Sequence, residues 1–144
     1  MRELRTEIDI RATAEDIWNI LMDFERFPEW NPFVRSISGE AKVGAGLSVR
    51  IEPEGGMGMT MMPKVIAADQ AKKFAWKGKL LFAGLFDGQH EFMLEDQGGG
   101  KTKFVHREEF SGILVPILWP MLERNTTRGF NEMNAALKKK AEGN

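Results

Sequence analysis

Only one stretch of this chain has helical periodicity long enough to cover a sheet, and it lies at the C-terminal end. After Pro120, the residues Leu122, Thr126, Gly129, Phe130, Met133, Ala136 and Leu137 recur at three- and four-residue steps. Glu123, Arg124, Arg128, Glu132 and Lys139 fall elsewhere, so the spacing predicts one long amphipathic helix. Lys138, Lys139 and Lys140 in its last turn complement the helix dipole. Everything upstream must pack against this helix or against itself.

What lies upstream reads mostly as strand. Leu4, Thr6, Ile8 and Ile10 alternate with Glu3, Arg5, Glu7 and Asp9, the pattern of a half-buried strand. Thr13 followed three residues later by Asp16 has the form of a capping box, heading a short helix on Ile17, Ile20 and Leu21. Asp23 is expected to cap a second short helix through Phe24 and Phe27, limited by Pro28 and Pro32, with Glu29, Trp30 and Asn31 in a turn. Strand signals then occupy 33–42, 47–54, 59–68, 73–77, 87–95 and 102–110, separated by glycine-rich turns and one apolar connection, 80–86. They predict an antiparallel meander, with Pro63 at an edge or a bulge.

The fold class expected is α+β, one domain over 1–144. A curved antiparallel sheet of about seven strands, with two short helices, would be covered by the long C-terminal helix. One helix cannot fill the concavity of a strongly bent sheet, so a hydrophobic cavity is expected between them. Gly129, in mid-helix, costs ~1 kcal/mol against Ala and needs a packing or ligand-space reason.

Composition narrows the function classes. Lys+Arg 20 against Asp+Glu 21 leaves no electrostatic footprint for nucleic acid. With Cys 0, disulfide frameworks, thiolate metal sites and cysteine nucleophiles are excluded. Phe 10, Met 9 and Trp 4 beside Tyr 0 and His 2 favour holding an apolar ligand over elaborate chemistry. The apolar stretches 80–86 and 112–122 fall short of the ~18 residues of a membrane span, and no signal sequence is visible. The expectation is a cytoplasmic protein without stable membrane insertion. Gly98, Gly99, Gly100, Lys101 and Thr102 do not form a phosphate loop, because Glu95 stands where the first glycine belongs and a strand follows. No cofactor is expected.

Several motifs together resemble the START-like superfamily. They are Ile10-Arg11-Ala12-Thr13-Ala14-Glu15-Asp16-Ile17-Trp18, Phe27-Pro28-Glu29-Trp30-Asn31-Pro32-Phe33, Trp76-Lys77-Gly78, His90-Glu91-Phe92-Met93-Leu94-Glu95, Glu109-Phe110-Ser111-Gly112 and Met133-Asn134-Ala135-Ala136-Leu137. That superfamily has the helix-grip fold of lipid-transfer domains, plant pollen-allergen proteins and the SRPBCC-type polyketide cyclase/dehydrase family, and the chain is most similar to the bacterial cyclase-like branch. The resemblance spans essentially the whole chain and implies a hydrophobic small-molecule site between sheet and C-terminal helix. It carries no catalytic motif with it.

The residues add detail of their own. His90, Phe92 and Leu94 share one strand face, and Phe104, His106, Glu108 and Phe110 share another. With Gly98 at the hairpin centre, Phe92 lies opposite Phe104 and His90 opposite His106, so both imidazoles and Glu108 face the cavity. The preferred reading is a buried hydrogen-bonded group that orients a ligand's polar end. Against it stands acid–base catalysis, with His106 as general base, Glu108 tuning it and His90 polarising a carbonyl. A zinc site from the same three residues is the least favoured, and no metal is expected.

The cavity lining expected is Trp30, Trp76, His90, Phe92, Phe104, His106, Glu108, Phe110, Leu122, Phe130 and Met133. Met57, Met59, Met61 and Met62 supply soft, adaptable surface, and Asn125 is weighed as an inward amide. The segment from Ile113 to Trp119 reads as a lid, a homodimer patch or a transient membrane contact, with lid or dimer preferred for want of a basic cluster beside it. Three functions follow: a binder of a hydrophobic or aromatic small molecule, lipid-like or polyketide-like; a cyclase, dehydrase or hydrolase; or a protein-interaction module through Ile113 to Trp119.

Overall fold

In the computed structural model, residues 1–53, 58–79 and 84–143 are described. Of the features read from sequence, the turn at Gly55 and Gly56, Met57, and residues 80–83 of the apolar connection lie outside them.

The first alternating segment forms β1 (Arg2–Ile10), and the Thr13 hydroxyl accepts from the Asp16 N–H at 3.1 Å to start α1 (Ala14–Met22). Ile17, Trp18 and Leu21 are its buried face. A 3-10 turn (Phe24–Arg26) and α2 (Phe27–Trp30) follow, and here the expectation needs correcting. Asp23 makes no side-chain cap, and Pro28 sits in the first turn of α2 instead of limiting a helix before it. An N–H missing there has no intrahelical partner to lose, so Glu29 and Trp30 stay helical. The Asn31 side-chain oxygen then accepts from the N–H groups of Phe33 at 3.0 Å and Val34 at 2.9 Å, aiming the chain into the next strand.

Eight antiparallel strands result among the described residues. β2 (Val34–Gly39), β3 (Leu47–Ile51) and β4 (Met59–Met61) form one sheet in chain order. β5 (Lys64–Asp69), β6 (Lys73–Lys79), β7 (Asp87–Gly98) and β8 (Lys101–Ser111) join β1 in a second sheet, ordered β1-β8-β7-β6-β5. The single strand expected over 59–68 is divided at Met62 and Pro63, and this accounts for eight strands where about seven are expected. Proline has no N–H to extend a ladder, and its two flanks go to different sheets. Across the break the sheets stay joined by a Gly46–Lys64 bridge and by Leu47 N–H donating to the Pro63 carbonyl at 2.9 Å.

The long helix, α3 (Val115–Ala141), begins ahead of Pro120 rather than after it. Pro116 occupies its first turn, and the carbonyl that Pro120 leaves without an intrahelical donor belongs to exposed Pro116. Its buried face is Gly129, Phe130, Met133, Asn134 and Leu137, laid against β1 and β8. Gly129 has a packing reason: a Cβ there would lie 2.2 Å from Phe33 Cδ1, so only glycine lets the helix onto that ring. Phe27, Phe33, Phe74, Phe92, Phe104 and Phe130 fill the space between sheet and helix. Among the described residues no helix is long and apolar enough to cross a membrane.

Candidate functional site

The β7–β8 hairpin sets the site, and its turn decides who faces whom. Gly99 and Gly100, at φ +65° and +76°, form a two-residue turn between Gly98 and Lys101, where left-handed backbone suits glycine. The turn is centred between Gly99 and Gly100, and a bulge at Gln97, between the Asp96–Thr102 and Gly98–Lys101 pairs, sets the rest of the hairpin pairing about position 99. His90 stands opposite Glu108, Phe92 opposite His106, and Leu94 opposite Phe104, correcting the expected pairing of His90 with His106 and Phe92 with Phe104. The displacement is two residues, an even number, so every side chain keeps its face.

The two histidines become diagonal neighbours and bond directly, Nε2 to Nε2 at 2.7 Å. His90 Nδ1 meets Glu108 Oε1 at 3.2 Å, and His106 Nδ1 meets Asn134 Oδ1 on α3 at 2.9 Å. Asn134 Nδ2 donates to the Thr6 hydroxyl on β1 at 2.8 Å, and Thr6 donates to the His106 carbonyl at 3.3 Å. Strand, strand and helix are thus tied by one buried polar train. Aromatic rings enclose it: Trp76 stacks on His90 at 4.7 Å between centroids, and Phe130 on His106 at 3.8 Å. Burial, followed by the neighbouring His90, holds His106 well below the usual imidazole range, and the Asn134 bond only partly opposes them.

An open cleft of about 350 Å³ meets this train at one end. Met59, Thr60, Met61 and Met62 line it from β4 and the break after it, Gly78 and Lys79 from β6, Phe86 from just before β7, Gly88 from β7 itself and Glu108 from β8. Three methionines give the wall an apolar surface that adapts to shape. Gly88 makes room for the carboxylate: a Cβ there would sit 2.6 Å from Glu108 Oε2. A second hollow of about 360 Å³, wider open, lies among Asn19, Ile20, Asp23, Arg26, Trp30 and Lys140.

The structure sorts the residues singled out in the sequence into groups. Trp76, His90, Phe92, Phe104, His106, Phe110, Phe130 and Met133 are all buried in the core that sheet and α3 share. Glu108 belongs both to that group and to the cleft wall. Trp30 packs on Phe27 at 5.2 Å and borders the other hollow, while Leu122 is half-buried on α3. His106 has both ring nitrogens engaged by protein and is fully buried, so neither faces the cleft. Among the described residues no three His, Cys, Asp or Glu side chains are placed to hold a metal ion.

The segment from Ile113 to Trp119 is the entry into α3. Val115 is buried, Trp119 packs on Phe110 at 6.0 Å, and Ile113 and Ile117 are 72% and 74% exposed. The Ile113 and Leu114 N–H groups donate to the Gly84 and Leu85 carbonyls, tying this entry to the residues leading into β7.

Asn134, Thr6 and Gly88 lie beyond the site residues read from the sequence, although the first two carry a signal there. Asn134 falls four residues after Phe130 and three before Leu137, on the buried helix face, and Thr6 falls in the apolar phase of β1. The inward amide weighed at Asn125 is supplied instead by Asn134, while Asn125 is half-buried. Gly88 gives no such signal, because what it makes room for comes from another strand.

Comparison with known proteins agrees with this architecture. The family model described as polyketide cyclase/dehydrase and lipid transport matches residues 1–142. A START superfamily protein from Mycobacterium smegmatis superposes with TM-score 0.78 at 19% identity, covering 98% of this chain and 97% of that one. A norcoclaurine synthase point mutant from Thalictrum flavum, in complex with a transition-state analogue, gives 0.74 at 18%, covering 97% and 93%. The Zhui aromatase/cyclase from Streptomyces sp. R1128 gives 0.71 at 16%, covering 96% and 94%. At such identities these likenesses show the fold alone. No curated protein matches the sequence.

Proposed function

The chain belongs to the polyketide cyclase/dehydrase and lipid transport family, and from that premise we propose that it holds a hydrophobic small molecule in the methionine-lined cleft beside Glu108. The family and its START-like neighbours support a hydrophobic ligand-binding or cyclase role. The observation that carries the location is the cleft itself. At about 350 Å³ it falls in the usual size range of small-molecule sites, with mostly apolar walls and one buried carboxylate at hand.

The space under α3 is a poorer candidate, because the rings of Phe33, Phe92, Phe104 and Phe130 already fill it. The acid–base alternative also changes shape. His106 is sealed off, so a proton exchanged with a ligand would pass through Glu108.

Native mass spectrometry against a panel of fatty and aromatic compounds tests the proposal. Wild type should retain at least one compound, and Met61→Trp, which plugs the cleft, should lose it. Retention undiminished by the plug would place the ligand elsewhere and overturn this reading.

A further inference from the structure

Resting on the reading of the cleft as a ligand site, we infer that its inner end accepts a hydrogen bond, so that the preferred occupant is an apolar molecule carrying a neutral hydroxyl or N–H group. The protons along the buried train can be counted from its far end. The His106 carbonyl can only accept, and the Thr6 hydroxyl spends its single proton on it. Thr6 Oγ1 therefore accepts from Asn134 Nδ2, which fixes the orientation of the amide. Asn134 Oδ1, an acceptor, then faces His106 Nδ1, so that nitrogen carries the hydrogen. His106 is buried and kept neutral, which leaves its Nε2 a lone pair and makes His90 Nε2 the donor across the 2.7 Å contact.

One contact remains, His90 Nδ1 to Glu108 Oε1. Two lone pairs cannot face each other there, so one proton lies on that line, on the nitrogen or on the oxygen. Either way Glu108 Oε2 bears none. Either way, too, the Glu108–His90 pair is neutral as a whole and gives a cation no special attraction. No donor among the described residues reaches Oε2, which lies in the room left by Gly88 at the cleft wall. Oε2 opens to the cleft, so an occupant that displaces water from it must supply a hydroxyl or N–H in its place or leave the oxygen without a donor.

Three probes with one apolar body test this: 2-naphthol, 2-methoxynaphthalene and 2-naphthylmethylammonium, titrated calorimetrically into the intact chain. The naphthol should bind about tenfold tighter than the methyl ether, because the ether displaces water from Oε2 and leaves that oxygen without a donor. It should also bind tighter than the ammonium.

Two variants, checked for folding by near-ultraviolet circular dichroism, separate the chemistry from the packing. Glu108→Gln should keep the preference, because its amide N–H can serve His90 while its carbonyl still faces the cleft. Gly88→Ala should abolish it, because the new Cβ displaces Oε2. Equal affinity for naphthol and ether in wild type, or a preference for the ammonium, overturns this inference and leaves the cleft standing as a site. Failure of all three probes to bind removes the cleft reading, and this inference with it.

Discussion

The filled core under α3 and the open cleft at Glu108 stand at opposite ends of the buried polar train and are built on opposite plans. At one end Phe33, His106, Phe130 and Met133 are buried against each other, and Gly129 lets the helix touch the Phe33 ring. At the other end Gly78 and Gly88 leave space and three methionines line it. Glycine thus serves two purposes in one molecule. Gly129 closes a gap and Gly88 preserves one. The filled end supplies a rigid frame and the open end the room that a ligand needs, with the Glu108–His90–His106–Asn134 train running between them.

If the filled end is the frame, damage there should cost most. Phe130→Ala removes a fully buried ring stacked on His106 and should destabilise the protein by about 3–5 kcal/mol in urea unfolding. A loss below about 1 kcal/mol would mean that this end is not tightly packed. Gly129→Ala is the sharper probe, since in an exposed helix the change would stabilise by ~1 kcal/mol. Here the added methyl meets Phe33, and a loss of about 1–3 kcal/mol is expected.

The same end should also sense pH. His106 has its folded pKa depressed below the ordinary 6.5, so at lower pH the unfolded chain takes up a proton that the folded chain refuses. Stability should be constant above that value and fall as pH drops through it, by up to about 1.4 kcal/mol per pH unit. His106→Gln should flatten the slope. Carboxylates act in a separate window. Burial raises the Glu91 carboxyl, but Gln89, Arg107 and Lys73 outweigh it and hold it below the ordinary 4.5, so its contribution is lost only below that value. At the open end, Met61→Ala should cost less than about 1 kcal/mol, because this half-buried side chain borders empty space. A cost as large as that of Phe130→Ala would erase the contrast between the two ends.

How much of this was legible in the sequence depended on what each feature rests on. Local patterns sufficed for β1, for the Thr13 cap and for the apolar stripe of α3. The shared inner face of His90, His106 and Glu108 was legible because strand parity survives a two-residue displacement. The pairing was not, since Gly98, Gly99 and Gly100 offer competing turn centres and nothing local chooses among them. The division of one strand at Pro63 depended on a second sheet forming beside it. The open cleft was least legible. It is made by side chains that Gly78 and Gly88 lack, and only tertiary approach turns a missing atom into a space.

The central claim is that ligand enters the open end and leaves the filled end undisturbed. Methyl NMR on the protein labelled with ¹³C at methionine methyls, titrated with 2-naphthol, tests it most directly, because Met59, Met61 and Met62 line the cleft while Met133 is fully buried under α3. The account predicts that the three cleft methyls shift and saturate together while Met133 stays in place. A shift of Met133 with Met59, Met61 and Met62 unmoved would put the ligand between sheet and helix and contradict it.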